Sequence, residues 1–523
     1  MNAAISFLVD DDPRFLMQAW NLILALRRTG DFPADGVELY LHHTRGIDSE
    51  RLALFRKLGA RTIAVEPFGQ GPAAYCNKLR QLETPALRDA DRVILLDADV
   101  LPLKRLIDID PGEGVAGKIV DFINPEEEAL AELMKGVPEE WQALVTAEPS
   151  FSPGRPTIAA NCNGGFYVLS RKALAALTEA WPRWSRYCLD RADLLGSKAI
   201  HSDQLGFAFA VAECGLSWRA LPLTDNFPTH VGKKLMERET PAEIRLIHYH
   251  GELDNHGLPK SPGVDWVDRQ IAPAVADLRE ARREMFDNRI FWDFRYRTTP
   301  DLGSGVGSRG QVLDYKRSIL EPILKEAAER QVLDVGCGDL ETFVTFGLTK
   351  YLGIDLSEQA LAIARSKRPD WSFATTPLSS IPDNFAALSV CLDVLIHQKS
   401  AESYDQVIND LVRATTDVVI VTGYDRLPTF GGIVFYHGAL GDRLRAHPGV
   451  QEVVTLGGYH EAVMLAAILK PGGGTAGETA LVQAVRGSVR APLGENAKVR
   501  RAGVLHRVAV RLRGILKGTA NRP

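Results

Sequence analysis

The sequence predicts an α/β protein of two doubly wound domains in tandem, followed by a basic C-terminal tail. Three observations predict it. Short apolar runs alternate with amphipathic stretches over residues 1–270 and again over 287–470, the pattern of strands threaded between helices in a parallel sheet. Each half carries acids at the carboxyl end of an apolar strand, where open α/β sheets bind ligands. Finally, 523 residues with 45% hydrophobic and 24% charged composition suit two to four globular domains and exclude disordered or collagen-like chains.

The elements of the first half read in order. Ile5–Val9, Val37–Leu41, Thr62–Val65 and Val93–Leu96 are strands, with helices at Phe15–Arg28 and Ser49–Leu58 between them. Arg92-Val-Ile-Leu-Leu-Asp-Ala-Asp-Val100 puts Asp97 and Asp99 at the end of a buried strand. Two carboxylates one residue apart can hold a hard divalent cation, which in turn neutralises a diphosphate. The string alone is weak, because Asp10-Asp-Asp12 and Asp108-Ile-Asp110 share it and each reads equally as a solvated turn or a helix cap.

The context is stronger. Val9-Asp-Asp-Asp12 ends an early strand, and Lys78 lies in Tyr75-Cys-Asn-Lys-Leu-Arg80. Asn161-Cys-Asn-Gly-Gly-Phe-Tyr-Val168 is a polar–glycine turn entering a strand. His201-Ser-Asp-Gln204 precedes a helix-like run, and Ile247-His-Tyr-His-Gly251 closes the series. In this order residues 1–260 resemble GT-A glycosyltransferases, specifically the glycogenin-like group that uses nucleotide-sugars.

The resemblance implies that Asp97 and Asp99 bind Mn²⁺ or Mg²⁺ bridging the donor diphosphate, with His248 as a late metal ligand. His250 competes for that role, and a core histidine is the bland alternative. Asp10, Asp11 and Asp12 fall near base and ribose, one of them capping the next helix. Lys78 contacts phosphate, unless it is an exposed helix lysine. Asn163 and Asp203 face the donor sugar or acceptor, with Gln204 the weaker partner. The expected donor is a UDP-sugar, transferred with retention. One departure stands out: such enzymes often end in His-x-x-Gly-x-x-Lys-Pro-Trp. Here Gly251 follows His248, but only Leu258-Pro-Lys-Ser-Pro262 comes later. Either Lys260 replaces the phosphate-binding lysine or that contact is absent.

Between the halves, Ala274–Phe286 reads as a helix and Leu302–Gly310 as a glycine-dense loop. The second half then alternates strands at Val332–Val335, Tyr351–Ile354, Leu388–Leu392 and Val418–Val421. Gln331-Val-Leu-Asp-Val-Gly-Cys-Gly-Asp339 runs from a strand into an acid and two glycines, with a helix expected after it. Asp355 ends the next strand 21 residues after Asp334, the spacing at which an acid reaches ribose hydroxyls. Glycines let backbone approach a ligand closely.

Residues 287–470 resemble class I S-adenosylmethionine-dependent methyltransferases. The loop has their Asp-x-Gly-x-Gly form and not the dinucleotide form, and Val390-Cys-Leu-Asp-Val-Leu-Ile-His397 matches their fourth-strand segment. Phe291-Trp-Asp-Phe-Arg-Tyr-Arg297 and the glycine loop look like an N-terminal lid. The resemblance implies that Gly336 and Gly338 cradle the methionine portion of S-adenosylmethionine and that Asp355 holds the ribose diol. Asp334 orients the loop or the amino group, and Asp393 or His397 lies near the acceptor. His397 is the candidate base, with His437 and His460 as weaker alternatives and a structural histidine as the bland one.

Charge and cysteines bound the rest. Lys and Arg number 61 against 66 Asp and Glu, a net −5 that gives no sign of nucleic acid as a partner. From Arg486 to Pro523, ten Lys/Arg face Glu495 alone, a local +9; subtracting it from −5 leaves −14 on the residues before. Within that tail, Lys498–Lys517 carries Val504, Leu505, Val508, Leu512, Ile515 and Leu516 at helical spacing, the pattern of a helix lying on an anionic membrane surface. A tail folded onto the acidic body is the alternative. Cys76, Cys162, Cys188, Cys214, Cys337 and Cys391 form no CxxC pair, so neither a zinc knuckle nor a disulfide framework is expected. The N-terminus is unlike a signal peptide, and no apolar stretch approaches ~18 residues. The expected location is cytoplasmic, peripheral on the inner face of the plasma membrane if the tail engages it.

The expected organisation is a glycosyltransferase domain at 1–270, a linker and lid region at 271–300, a methyltransferase domain at 287–470 and a tail at 471–523. The expected function is bifunctional: glycosyl and methyl transfer onto a glycan or lipid-linked glycan acceptor in polysaccharide or glycolipid biosynthesis. The alternative is an active methyltransferase carrying a catalytically degenerate glycan- or nucleotide-binding module.

Overall fold

The computed structural model describes residues 2–44, 46–429, 432–470 and 479–494. The chain divides into two compact units, Met1–Asp301 and Leu302–Pro523.

In the first unit β1 (Ala3–Val9), β2 (Val37–Thr44), β3 (Arg61–Val65) and β4 (Arg92–Leu96) pair in parallel in the order β3-β2-β1-β4. β1 and β4 are near-continuous apolar runs because both faces of a central parallel strand are covered. β1 lies between β2 and β4, so the strand order reverses there. The carboxyl ends of β1 and β4 therefore open on a shared crevice. β5 (Val100–Pro102) then leaves the large sheet, while β6 (Val115–Ile119), β7 (Cys162–Ser170) and β8 (Trp218–Ala220) extend it as β4-β7-β6-β8. β7 runs antiparallel to both neighbours, so the sheet is mixed and not wholly parallel as the alternation predicted. Its direction brings the start of β7 beside the end of β4, with Phe166 opposite Leu96. β9 (Phe227–Pro228) and β10 (Leu246–His248) join β5 in a small second sheet, where His248 pairs with Val100.

The helix Pro13–Thr29 packs its apolar face beneath the sheet; the Asp12 carboxylate accepts from the Arg14 N–H and Pro13 opens the first turn. Helices Asp265–Glu284 and Asn288–Thr298 pack against it in this same unit. Arg282 lies 4.8 Å over the Trp20 ring and donates to the Gly257 carbonyl, and Arg51 pairs with Asp293 at 3.0 Å. This corrects the expected boundary at 271–300. Phe291–Arg297 lies in the last helix of the first unit, where Ile290, Phe291 and Phe294 are buried.

The second unit contains β11 (Gln331–Val335), β12 (Lys350–Ile354), β13 (Ser372–Ala374), β14 (Ala386–Cys391), β15 (Thr415–Gly423), β16 (Val450–Tyr459) and β17 (Ala462–Leu469). Their order is β13-β12-β11-β14-β15-β17-β16, parallel through β15. β16 and β17 meet across a tight turn at His460, which forces them antiparallel. Again the order reverses at one strand, β11, so the ends of β11, β12 and β14 converge. The helix expected after Asp339 does not form: residues 336–349 run as turns. Leu340 takes a left-handed φ of 66°, and Leu340, Phe343 and Leu348 reach the core from separate turns.

Among the described residues no helix is long and apolar enough to cross a membrane. The basic segment 498–517 lies outside the described residues.

Candidate functional site

A cavity of about 810 Å³ opens at the crevice of the first unit. Several pieces of chain build it, among them the following. β1 ends in Asp10, β4 in Asp97 and Asp99, and the turn Gly71–Glu83 supplies Lys78. β7 carries Asn163 as its second residue, and β10 ends in His248. The β5–β10 pairing sets His248 beside Asp99, where the Tyr249 N–H also donates to the Asp99 carbonyl at 3.1 Å. Gly164 and Gly165 let Lys78 and His248 approach the backbone closely. A Cβ at Gly164 would lie 2.7 Å from Lys78 Nζ, and one at Gly165 would lie 2.4 Å from His248 Nδ1.

The charges interlock. Lys78 Nζ is 2.6 Å from Asp97 Oδ1 and 3.5 Å from Asp203 Oδ2, and it donates to the Gly164 carbonyl at 3.1 Å. Burial opposes the ammonium, but Asp97 and Asp203 hold its pKa above the ordinary value. Burial raises the Asp97 carboxyl, which Lys78 offsets only in part, and raises Asp203 likewise. Burial also penalises Asp99, yet a proton on the His248 ring beside it brings it down to about 2. Asp203 Oδ2 is buried, with the Lys78 ammonium as its charged neighbour.

One network fixes the tautomer of His248. Asn163 Nδ2 donates to Asp121 Oδ2 at 2.6 Å, so Asn163 Oδ1 is the acceptor. It takes the Gly165 N–H at 3.0 Å, Asn226 Nδ2 at 3.0 Å and His248 Nδ1 at 3.1 Å. His248 Nδ1 must then carry the proton. Its Nε2 lone pair faces Asp99 Oδ1 at 3.3 Å. Two acceptors so close attract only when a cation, either a ring proton or a metal ion, lies between them. Single ligand atoms of Asp97, Asp99 and His248 lie within 4.8 Å of one another, a mixed carboxylate–imidazole set that fits a divalent ion.

The other expected residues are placed as follows. Asp10 lines the cavity, near Asn77 Nδ2 at 3.5 Å. Asp12 is the helix cap and pairs with Arg14 and Arg297. Asp11 is exposed beside Gly46 and does not line the cavity. Gln204 lines it, within reach of His201 at 3.3 Å. His250 stacks on His248 at 3.6 Å instead of replacing it. Lys260 is exposed, pairs with Glu252 at 2.9 Å and lies outside the cavity lining. Sequence reasoning missed Asp121, His230, Asn226, Arg14 and Tyr75. Asp121, the acid closing Val115–Asp121 just past a strand end, carried a usable signal; the lone His230 and Asn226 carried none.

In the second unit Gly336 has φ 73°, and a Cβ there would lie 2.2 Å from Val394 Cγ2, so only glycine fits. The Gly338 N–H donates to Asp355 Oδ2 at 2.9 Å and the Ser357 N–H to Oδ1 at 2.8 Å, holding the loop against the end of β12. Asp334 is buried behind the loop, accepting from the Tyr351 hydroxyl at 2.7 Å. Burial lifts its carboxyl to about 7. Asp393, at φ 60°, pairs with buried Lys316 at 2.5 Å and accepts from Tyr459 and Thr422. His397 Nδ1 donates to the Ile433 carbonyl at 2.9 Å. His437 is held by the Gln398 carbonyl at 2.8 Å, and His460 sits on the β16–β17 turn. The loop Leu302–Gly310, the other half of the expected lid, does lie at this edge: Ser304 donates to Asp339 at 2.8 Å, and a Cβ at Gly307 would lie 2.6 Å from Asp393 Oδ2.

Fold and sites define a tandem of two doubly wound α/β units, one with a carboxylate–imidazole centre and one with a glycine-loop cleft. No family model matches the sequence, and no curated protein does. Solved structures of similar fold are of two kinds. The galactosyltransferase LgtC, in complex with donor and acceptor sugar analogues, is 16% identical with a TM-score of 0.33, over 54% of this chain and 100% of that one. Mouse xyloside xylosyltransferase 1 is 16% identical with a TM-score of 0.32, over 48% and 98%. Magnesium protoporphyrin IX methyltransferase from Synechocystis PCC 6803, with bound SAM, is 19% identical with a TM-score of 0.26, over 36% and 89%.

Proposed function

We propose that this chain is a bifunctional enzyme of glycan assembly: the first unit transfers a sugar from a nucleotide-sugar, and the second methylates an acceptor from S-adenosylmethionine. The first activity rests chiefly on the opposed Asp99 Oδ1 and His248 Nε2, 3.3 Å apart with Nδ1 committed to Asn163. Asp97, Asp99 and His248 would hold a divalent cation, Mn²⁺ or Mg²⁺, which supplies charge for departure of the nucleoside diphosphate. The chain's own groups do the rest. Lys78 presents an ammonium to the phosphates beside Asp97. Asn163 keeps His248 in its ligating tautomer. Asp203, buried with its Oδ2 facing Lys78, orients the sugar and stabilises positive charge developing at the anomeric carbon. Asp10 binds the nucleoside.

In the second unit Gly336 and Gly338 admit the methionine end and Asp355 the ribose hydroxyls of S-adenosylmethionine, which supplies an electrophilic methyl group. Position and desolvation dominate such an in-line displacement. His397, its Nδ1–H committed to Ile433, removes the acceptor proton at Nε2. The same glycan is the economical acceptor for both units, and a lipid-linked one would suit the basic segment 498–517.

A second reading keeps only the methyltransferase active, the first unit being a glycan- or nucleotide-binding module. The placement of Lys260 outside the cavity favours it. Isothermal titration of the full chain with S-adenosylmethionine, and with UDP with and without Mn²⁺, separates the two. The bifunctional reading expects both to bind, with UDP binding dependent on Mn²⁺ and lost in Asp99→Ala. Binding of S-adenosylmethionine alone supports the second reading.

A further inference from the structure

Beside the first centre lies a second group of ligating side chains. Single ligand atoms of Asp121, His230 and His250 lie within 4.8 Å of one another. His230 Nδ1 and His250 Nδ1 are 3.0 Å apart, and their rings are 3.8 Å apart. Three observations argue that this is a built arrangement. His250 holds a left-handed φ of 47°, uncommon for a residue that is not glycine, and its ring lies 3.8 Å from that of His230. The His250 ring nitrogen Nδ1 also lies 2.9 Å from the His248 carbonyl, so that carbonyl orients the ring whose Nδ1 meets His230 Nδ1. Asp121 is buried between Lys118, which pairs with its Oδ1, and Asn163, which donates to its Oδ2, and is fixed in place by both.

We propose that Asp121, His230 and His250 form a second cation site, distinct in chemistry from the Asp97–Asp99–His248 centre and selective for a borderline ion such as Zn²⁺. The selectivity follows from charge. The Asp121 carboxylate is already compensated by Lys118, itself buried, so the site offers little net negative charge to a hard ion such as Mn²⁺ or Mg²⁺. Its affinity must come from imidazole nitrogen, which suits Zn²⁺. Because His248 and His250 stack at 3.6 Å, the two ions would be neighbours. A Zn²⁺ ion here would tie the His230 turn to the His250 turn on the wall of the cavity. The site stands on its own geometry and does not depend on the sugar-transfer reading.

Equilibrium dialysis of the full chain against Zn²⁺ with elemental analysis, repeated with Co²⁺ read by its d–d absorption, tests the site. The test is made in the Asp99→Ala background, which removes the first centre. That protein is expected to retain one Zn²⁺, weakened at least about tenfold by a further His230→Ala or His250→Asn change. His230 is exposed, so its loss threatens the fold little, and asparagine tolerates the left-handed backbone at 250 without ligating. If Asp99→Ala binds no Zn²⁺, or if the added His230 and His250 changes leave Zn²⁺ affinity and the Co²⁺ spectrum unaltered, the second site is overturned. Either result leaves the Mn²⁺ and UDP titrations of the intact chain to decide the sugar-transfer reading separately.

Discussion

The two sites solve different physical problems. The centre of the first unit packs Asp97, Asp99, Asp203, Lys78 and His248 into one cavity, so its shape is set by which charges neutralise which. The cleft of the second unit is set by backbone conformation: a left-handed Gly336, and a Gly338 N–H fastened to Asp355. Its buried acid, Asp334, is shifted towards neutrality by burial. The difference teaches where each is fragile. Charge substitutions should damage the first site, and small steric ones the second.

The largest expected effect is Lys78→Met. It leaves Asp97 and Asp203 buried without their cation and should destabilise the first unit by about 3–5 kcal/mol in chemical denaturation. It also removes a competitor for Asp97, so Mn²⁺ affinity should rise while UDP affinity falls. A joint fall of both would mean that Lys78 supports the cation centre and does not compete with it.

Next is the pH dependence of the second unit. Asp334 titrates at about 7 when folded against 3.8 ordinarily. The folded state therefore binds a proton that the unfolded state has released between those values. Its contribution to stability is complete below about pH 4, is lost as pH rises to about 7, and is flat above. Asp334→Asn keeps an acceptor for the Tyr351 hydroxyl. It should remove that slope, with neutral-pH stability higher by up to about 4 kcal/mol. Parallel denaturation curves for both proteins across this window would contradict the assignment.

Gly336→Ala comes third. The added methyl meets Val394 and strains a positive φ, a cost of about 1–3 kcal/mol. S-adenosylmethionine binding should be lost in titration while Mn²⁺ binding stays intact. The smallest effect belongs to Asp11→Ala. An exposed residue off the cavity should change stability by less than about 0.5 kcal/mol and leave UDP binding unaltered, whereas Asp10→Ala should weaken it.

The same contrast decides what the sequence could reveal. Asp97, Asp99, Gly336, Gly338 and Asp355 were legible because each follows an apolar strand directly, and such strand ends meet where the order reverses. The doubly wound cores were legible for the same reason. The reversed directions of β7 and β17 were not, since an apolar run does not disclose its direction. Asp121 shared the strand-end signal and was missed, whereas His230 was hidden because only the meeting of the β6, β7 and β9–β10 segments brings the two together. The boundary after Asp301 was hidden because the Asn288–Thr298 helix shows an apolar stripe without showing what covers it. A left-handed Leu340 removed the helix expected behind the glycine loop, which no propensity would suggest.

The central claim is that Asp99 and His248 face each other because a metal ion belongs between them. Anomalous diffraction from crystals of the full chain grown with Mn²⁺ and UDP tests it most directly. The expected result is a manganese peak within coordination distance of Asp97, Asp99 and His248, with the diphosphate on its open side. A nucleotide bound with no peak there, and Lys78 still seated on Asp97, would contradict it.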